Sequence, residues 1–277
     1  MPLSFSAATH IGVRREINED SYCALPDLGL FAVADGVGGH DAGEVASGAA
    51  IDAIRRAIED TRGWTERSDW PFEYQPALGI DGNRLNWALH QANLRLRAEG
   101  AGVRGRSSMA TTIAAVLFES DPAGVREPIG GATIGHVGDS RVYRWRTDRL
   151  DRLTRDHSWV EEQVRAGLIT EQDAWHHPRR NLLTRALTGG IEPVSEFGWA
   201  PLKAEDALVL CSDGLSGVLT DGQIAAILAQ GGPGQDGAGP SGTVCDALVH
   251  AANLAGGPDN ITVIVVRVSS NEPPCPS

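Results

Sequence analysis

Leu28-Gly-Leu-Phe-Ala-Val-Ala34 runs without a polar interruption into Asp35-Gly-Val-Gly-Gly39. An apolar run this short, halted by an acid and a cluster of glycines, reads as a buried strand entering a tight loop. Upstream, residues 5–9 and 21–24 read as short strands. Downstream, residues 43–58 repeat Val45, Ala49, Ile51, Ala53, Ile54 and Ile58 at near-helical spacing, the mark of a helix with one apolar face. Residues 85–96 read the same way. β-Branched content and bounding turns predict further strands at 111–118, 132–137, 141–146, 207–211 and 261–268, and helices at 158–166, 221–229 and 243–254. Strands fall in runs rather than alternating with helices. That favours an α+β layered sandwich over a doubly wound parallel sheet.

Three stretches fall outside this pattern. Residues 60–82, rich in Gly, Pro and Trp, read as an irregular connection; 231–242 read as a Gly/Pro-dominated surface loop; 269–277, with three prolines, read as a frayed tail. With no internal repeat, the simplest organisation is one domain over 1–268 followed by that tail.

Acidic residues outnumber basic ones 36 to 24, a net charge of -12, which is the wrong sign for holding a nucleic-acid backbone or an anionic membrane surface. Cys23, Cys211, Cys245 and Cys275 form no CxxC pair and are too few for a disulfide framework, so a reducing compartment is expected. The start lacks a basic segment followed by an apolar run, and nothing approaches the roughly 20 apolar residues of a membrane span. The expectation is a cytoplasmic protein.

Five short acidic motifs stand at the ends of the predicted strands: Asn18-Glu19-Asp20, Asp35-Gly36, Gly138-Asp139-Ser140-Arg141, Ser212-Asp213-Gly214 and Pro258-Asp259-Asn260. Each alone is an ordinary turn. Together they supply what a hard divalent cation such as Mg²⁺ or Mn²⁺ requires, carboxylates from several loops without imidazole or thiolate. At Gly36 the missing side chain leaves room for a backbone carbonyl to approach an ion held by Asp35.

In order along the chain come Arg15-Glu-Ile-Asn-Glu-Asp20, Asp35-Gly-Val-Gly-Gly-His40, Met109-Ala-Thr-Thr112, Gly138-Asp-Ser-Arg141, Ser212-Asp-Gly214 and Asp259-Asn260. In these landmarks the sequence resembles the metal-dependent protein phosphatases, the protein phosphatase 2C family, in its compact bacterial form. The resemblance implies a four-layer α/β/β/α sandwich around a central antiparallel β-sandwich, with two Mn²⁺ or Mg²⁺ ions at one end. It implies that Asp35 bridges both ions, the Gly36 carbonyl serves the first, and Asp213 and Asp259 hold the second, while Glu19, Asp20 and Asn260 act from the surrounding shell. Arg15 lies where a guanidinium fork could hold two phosphate oxygens. The implied function is hydrolysis of phosphoserine and phosphothreonine by water activated between the ions, opposing a bacterial Ser/Thr kinase. Phosphorylated proteins would be the partners of a monomer.

The chain also departs from the family pattern. Val37 stands where well-studied eukaryotic members carry a histidine, and His40 is expected to be structural. Gly217 replaces an acid that in several relatives helps hold a third metal, leaving Asp139 for that ion; Ala110 replaces a usual glycine. Residues 154–200, with Asp156-His157-Ser158 and His177-Pro178-Arg179, resemble the family's flap, which makes His157 a candidate for substrate contact. A non-catalytic, phosphopeptide-binding relative is the alternative function. A serine hydrolase is excluded by the absence of a Gly-x-Ser-x-Gly elbow.

Overall fold

The computed structural model describes residues 3–38, 42–64, 69–101, 109–118, 130–191, 193–231 and 243–269; His40, Cys275, most of the 231–242 loop and nearly all of the tail lie outside them. Two antiparallel sheets form the centre. The first orders β2 (Asp20–Leu25), β3 (Leu30–Val37), β5 (Ile113–Phe118), β6 (Gly131–Val137) and β9 (Glu196–Pro201), with β4 (Ala110–Thr111) paired to β3. The second orders β1 (Leu3–His10), β11 (Ile261–Val268), β10 (Ala207–Cys211), β7 (Arg141–Arg146) and β8 (Arg149–Arg152).

β3 is apolar from Leu30 to Ala34 because both of its faces are covered there. Phe31 and Val33 point into the core between the sheets, with Val116, Leu208, Leu210 and Ile264. Leu30, Ala32 and Ala34 point the other way, against α1 (Ala42–Asp60) and α2 (Gly79–Gly100). Successive side chains of a strand face opposite sides, so a strand between two layers must be apolar at every position. The second sheet is covered by α6 (Asp221–Gln230) and α7 (Val244–Leu254), where Ile224, Leu228, Cys245 and Leu248 meet Val209 and Val263. The result is the α/β/β/α layering expected. Each fully buried Leu, Ile or Phe contributes about 1.5–3 kcal/mol over its exposed state.

The predicted strand at 28–34 begins at Leu30, since Pro26–Leu28 form a 3-10 turn that Gly29 ends at φ 64°. The predicted strand at 111–118 is broken at Thr112, and α2 starts at Gly79 instead of 85. Two elements absent from the expectation, β8 and β9, are sheet edges. Such strands show water one side, so Arg149-Leu-Asp-Arg152 and Glu196-Phe-Gly-Trp-Ala-Pro201 lack a buried strand's apolar signature. The short helices α3 (Trp159–Arg165), α4 (Glu171–Trp175) and α5 (Asp213–Ser216) complete the set. The 60–82 connection carries an aromatic cluster: Trp70 meets Trp64 and Phe72 edge-on, and Phe72 stacks on Trp87 of α2 at 5.3 Å.

Candidate metal centre

Antiparallel pairing carries the acidic motifs to one end of the sandwich. The ends of β3, β6 and β10 and the starts of β2, β7 and β11 share that edge, and Asp20 stands directly opposite Asp35 in the β2–β3 register. Asp35 is held by Thr112, at the break between β4 and β5. Its amide donates to Thr112 Oγ1 at 3.1 Å, and its carbonyl accepts from the Thr112 amide at 2.9 Å. A strand break beside a site re-aims side chains without ending the sheet.

Gly36 follows Asp35 for a reason of packing: a Cβ there would stand 2.1 Å from the Gly43 carbonyl oxygen and 2.7 Å from that of Glu19. Its amide donates to the Glu19 carbonyl at 3.1 Å, joining the two acidic loops. Gly214 is fixed likewise, since a Cβ would lie 1.9 Å from the Asn260 carbonyl oxygen. Asn260 ties the remaining loop in place. Its Oδ1 accepts from the Glu19 amide at 2.8 Å, and its Nδ2 donates to the carbonyls of Ile11 and Ile17, both at 2.9 Å.

Burial comes first among the causes that raise the affinity of Asp35, Asp139 and Asp213 for protons, followed by repulsion from a neighbouring acid, Asp213 acting on Asp35 and Asp139 and Asp259 acting on Asp213. Asp35 is pushed well above the carboxylate range by burial and by Asp213, whose carboxyl lies within hydrogen-bonding reach. Like charges this close do not both ionise without a cation. Asp20 is raised to about 7 by burial, although Ser212 Oγ donates to its Oδ2 at 2.8 Å. Burial raises Glu19 as well.

Glu19 Oε1, Asp20 Oδ1 and Asp213 Oδ1 are buried acceptors without a hydrogen-bond partner among the described residues. Buried polar atoms are nearly always satisfied. Acceptors left open on carboxylates that repel one another, with no donors to meet them, form a donor set suited to hard divalent cations. The residues present therefore fit a divalent metal.

Arg15, with 47% of its side chain exposed, stands at the rim and donates to Asp259 Oδ2 at 2.7 Å, which raises its own pKa. Beside the cluster opens a cavity of about 790 Å³, lined by Asp139 and Asp213 at one end and by Val160, Trp175, Arg180 and Asp221.

Two of the residues singled out in the sequence take definite places. His157 is buried, 3% exposed, and its Nδ1 accepts from the Gly138 amide at 3.1 Å. It follows Asp156, whose ion pair with Arg141 at 2.6 Å pins this segment to β7. Gly217 is more than a missing acid, because a Cβ there would lie 2.7 Å from the Asp213 carbonyl oxygen. Residues not singled out from sequence, Thr112 and Ser212, prove to be hubs. Their signal was position alone, one closing the Met109-Ala-Thr-Thr112 motif and the other preceding Asp213.

A model of the family described as protein phosphatase 2C matches residues 10–231. The serine/threonine protein phosphatase PstP of Mycobacterium tuberculosis is 34% identical over 267 residues, 96% of this chain and 45% of that protein. The chain thus spans about half the length of that relative. The protein phosphatase PhpP of Streptococcus pneumoniae is 31% identical over 275 residues, 98% of this chain and 99% of that protein. The crystal structure of the M. tuberculosis phosphatase covers 97% of this chain and 99% of its own at 33% identity, with a TM-score of 0.78. The catalytic domain of PstP in complex with two manganese ions covers 97% of this chain and 99% of its own, at 32% identity and a TM-score of 0.74.

Proposed function

We propose, from the premise that this chain belongs to the protein phosphatase 2C family, whose members are metal-dependent protein phosphatases, that it hydrolyses phosphoserine and phosphothreonine in proteins at a binuclear Mn²⁺ or Mg²⁺ centre. The observation that carries this reading is the meeting of buried, mutually repelling carboxylates with open acceptor oxygens on Asp20, Asp213 and Glu19 at one end of the sandwich. Divalent ions there would supply positive charge for the phosphoryl oxygens and a water acidic enough to attack at neutral pH.

The protein's own residues have separate tasks. Asp35 and the Gly36 carbonyl, Asp213 and Asp259 would hold the ions, with Asp139 serving a weaker third. Glu19 and Asp20 present open oxygens beside them, and Asn260 fixes the loop that carries Glu19. Arg15 leaves Asp259 to grip phosphate with two parallel donors, offsetting the repulsion between that anion and the acids. Residues 1–268 act as one catalytic unit, a monomer in the cytoplasm, and its partners are phosphorylated proteins, a Ser/Thr kinase among them.

Phosphate release from phosphothreonine peptides tests the proposal. It should proceed with Mn²⁺ and stop in EDTA. Peptide binding without phosphate release under every divalent cation would replace the enzyme with a phosphopeptide-binding module.

A further inference from the structure

We propose that His157 is a positioning residue for Asp139: through the Gly138 backbone it fixes the turn that aims this carboxylate at the ion cluster, so the flap is fastened to the site by hydrogen bonds. This inference rests on the reading of Asp139 as a ligand of the weak third ion.

Gly138 joins β6 to β7 at φ 103°, a conformation that side chains disfavour, with its Cα pressed so close to Thr112 that a Cβ would stand 2.6 Å from the Thr112 Cβ. Both of its backbone polar groups go to one residue. The Gly138 amide donates to His157 Nδ1 at 3.1 Å, and the Gly138 carbonyl accepts from the His157 amide at 2.9 Å. The acceptor at Nδ1 places the imidazole proton on Nε2, which faces Glu196 Oε1 at 3.3 Å.

The ring is itself held. It stacks on His136 with centroids 4.7 Å apart, and His136 Nε2 is bonded to the Arg155 carbonyl at 2.8 Å. One ligand atom from each of His136, His157 and Glu196 falls within 4.8 Å of the others, the spacing of a metal site. Arg185 Nη1 already lies 3.2 Å from both His157 Nε2 and Glu196 Oε1, so a side chain supplies the positive charge. The trio therefore orients a ring.

On the other side of Asp139, Ser140 Oγ meets Thr112 Oγ1 at 2.7 Å, and Thr112 accepts from the Asp35 amide. Asp139 thus sits between two anchored neighbours, Ser140 tied through Thr112 to Asp35 and Gly138 tied to His157. The next residue, Ser158, caps α3, which lines the cavity that Asp139 enters. A shift of the flap would pass through His157 to the Asp139 carboxylate.

Calorimetric Mn²⁺ titration of H157N, H157Q and H157L tests this. H157N retains an acceptor near the place of Nδ1; H157Q and H157L do not. Leaving a buried amide unmet should weaken the third ion roughly tenfold in H157Q and H157L, while H157N stays within about threefold of wild type. The two tight ions should persist in all three. In an Asp139→Asn background, H157L should slow turnover no further, since both changes act on one ligand.

A lowered melting temperature in H157L with wild-type third-ion affinity would make His157 merely structural and overturn the proposal, as would H157N behaving like H157L. Should the wild type bind only two ions, the reading of Asp139 fails and the proposal with it. That result appears without any variant and so is distinct from the others.

Discussion

Two charged regions of this molecule are built on opposite rules. Along β7, Arg141, Arg144 and Arg146 meet Asp156 at 2.6 Å, Asp151 at 3.0 Å and Asp206 at 2.7 Å, each acid matched to a guanidinium. At the end of the sandwich, buried Asp20 and Asp139 meet half-buried Asp35 and Asp213; of the arginines whose charge reaches them, Arg141 is paired with Asp156 and Arg15 spends its hydrogen bond on Asp259 at the rim. Charges that serve the fold come with partners, whereas charges that serve a ligand are left without them. The second region costs stability until an ion arrives.

The sharpest way to break this contrast is Asp35→Asn, which removes the carboxylate proposed to be shared by both ions. Because metal assistance supplies several kcal/mol of transition-state stabilisation, turnover should fall by about a thousandfold or more. The variant should fold normally and be at least as stable as wild type in EDTA. A stable Asp35→Asn enzyme with normal turnover would dissolve the distinction between the two regions.

In the paired region the same kind of change should do the opposite. Asp206, 2% exposed, accepts from Arg146 and from the Lys203 amide at 2.7 Å. Asp206→Ala should cost about 3 kcal/mol by stranding those donors, with Mn²⁺ affinity unchanged. Denaturant unfolding measures the first and calorimetry the second.

Acidity separates the regions again, with a smaller effect. Asp20 has its proton affinity raised from 3.8 to about 7 on folding. Below 3.8 both states hold the proton and above 7 neither does, so the metal-free protein should lose stability as pH rises through that window. Between pH 5 and pH 8 the loss should be on the order of 3 kcal/mol. Unfolding in EDTA at pH 5 and pH 8 reads this slope. Asp20→Asn should flatten it, and an unaltered slope would show that Asp20 does not store the repulsion.

The smallest effect is expected at the rim. Arg15→Ala should raise the KM for phosphopeptide by about tenfold, the worth of one charge-assisted contact, with kcat and melting temperature close to wild type. A large fall in melting temperature at constant KM would move Arg15 into the structural class.

How far the sequence reveals this arrangement follows from what each residue touches. β3 and β11 are enclosed on both faces, so their apolar runs show in the sequence; β8 and β9 lie at sheet edges, and pairing on one side leaves too little burial to mark them. The acids were visible because acidic motifs recur at five strand ends, more often than turn chemistry alone calls for. What holds them was not visible. Thr112 and Ser212 act through single hydroxyls whose partners lie 77 and 192 residues away. His157 looked like a flap contact because nothing in Asp156-His157-Ser158 tells that the ring turns inward towards Gly138.

The claim beneath all of this is that the unpartnered acids are a cation site. Calorimetric titration of EDTA-stripped protein with Mn²⁺, with phosphoester turnover followed in parallel, tests it most directly. The account predicts two tight ions per chain, loss of both in Asp35→Asn, and turnover that appears only as those sites fill. Full turnover in stripped protein, or tight uptake left intact by Asp35→Asn, would contradict it.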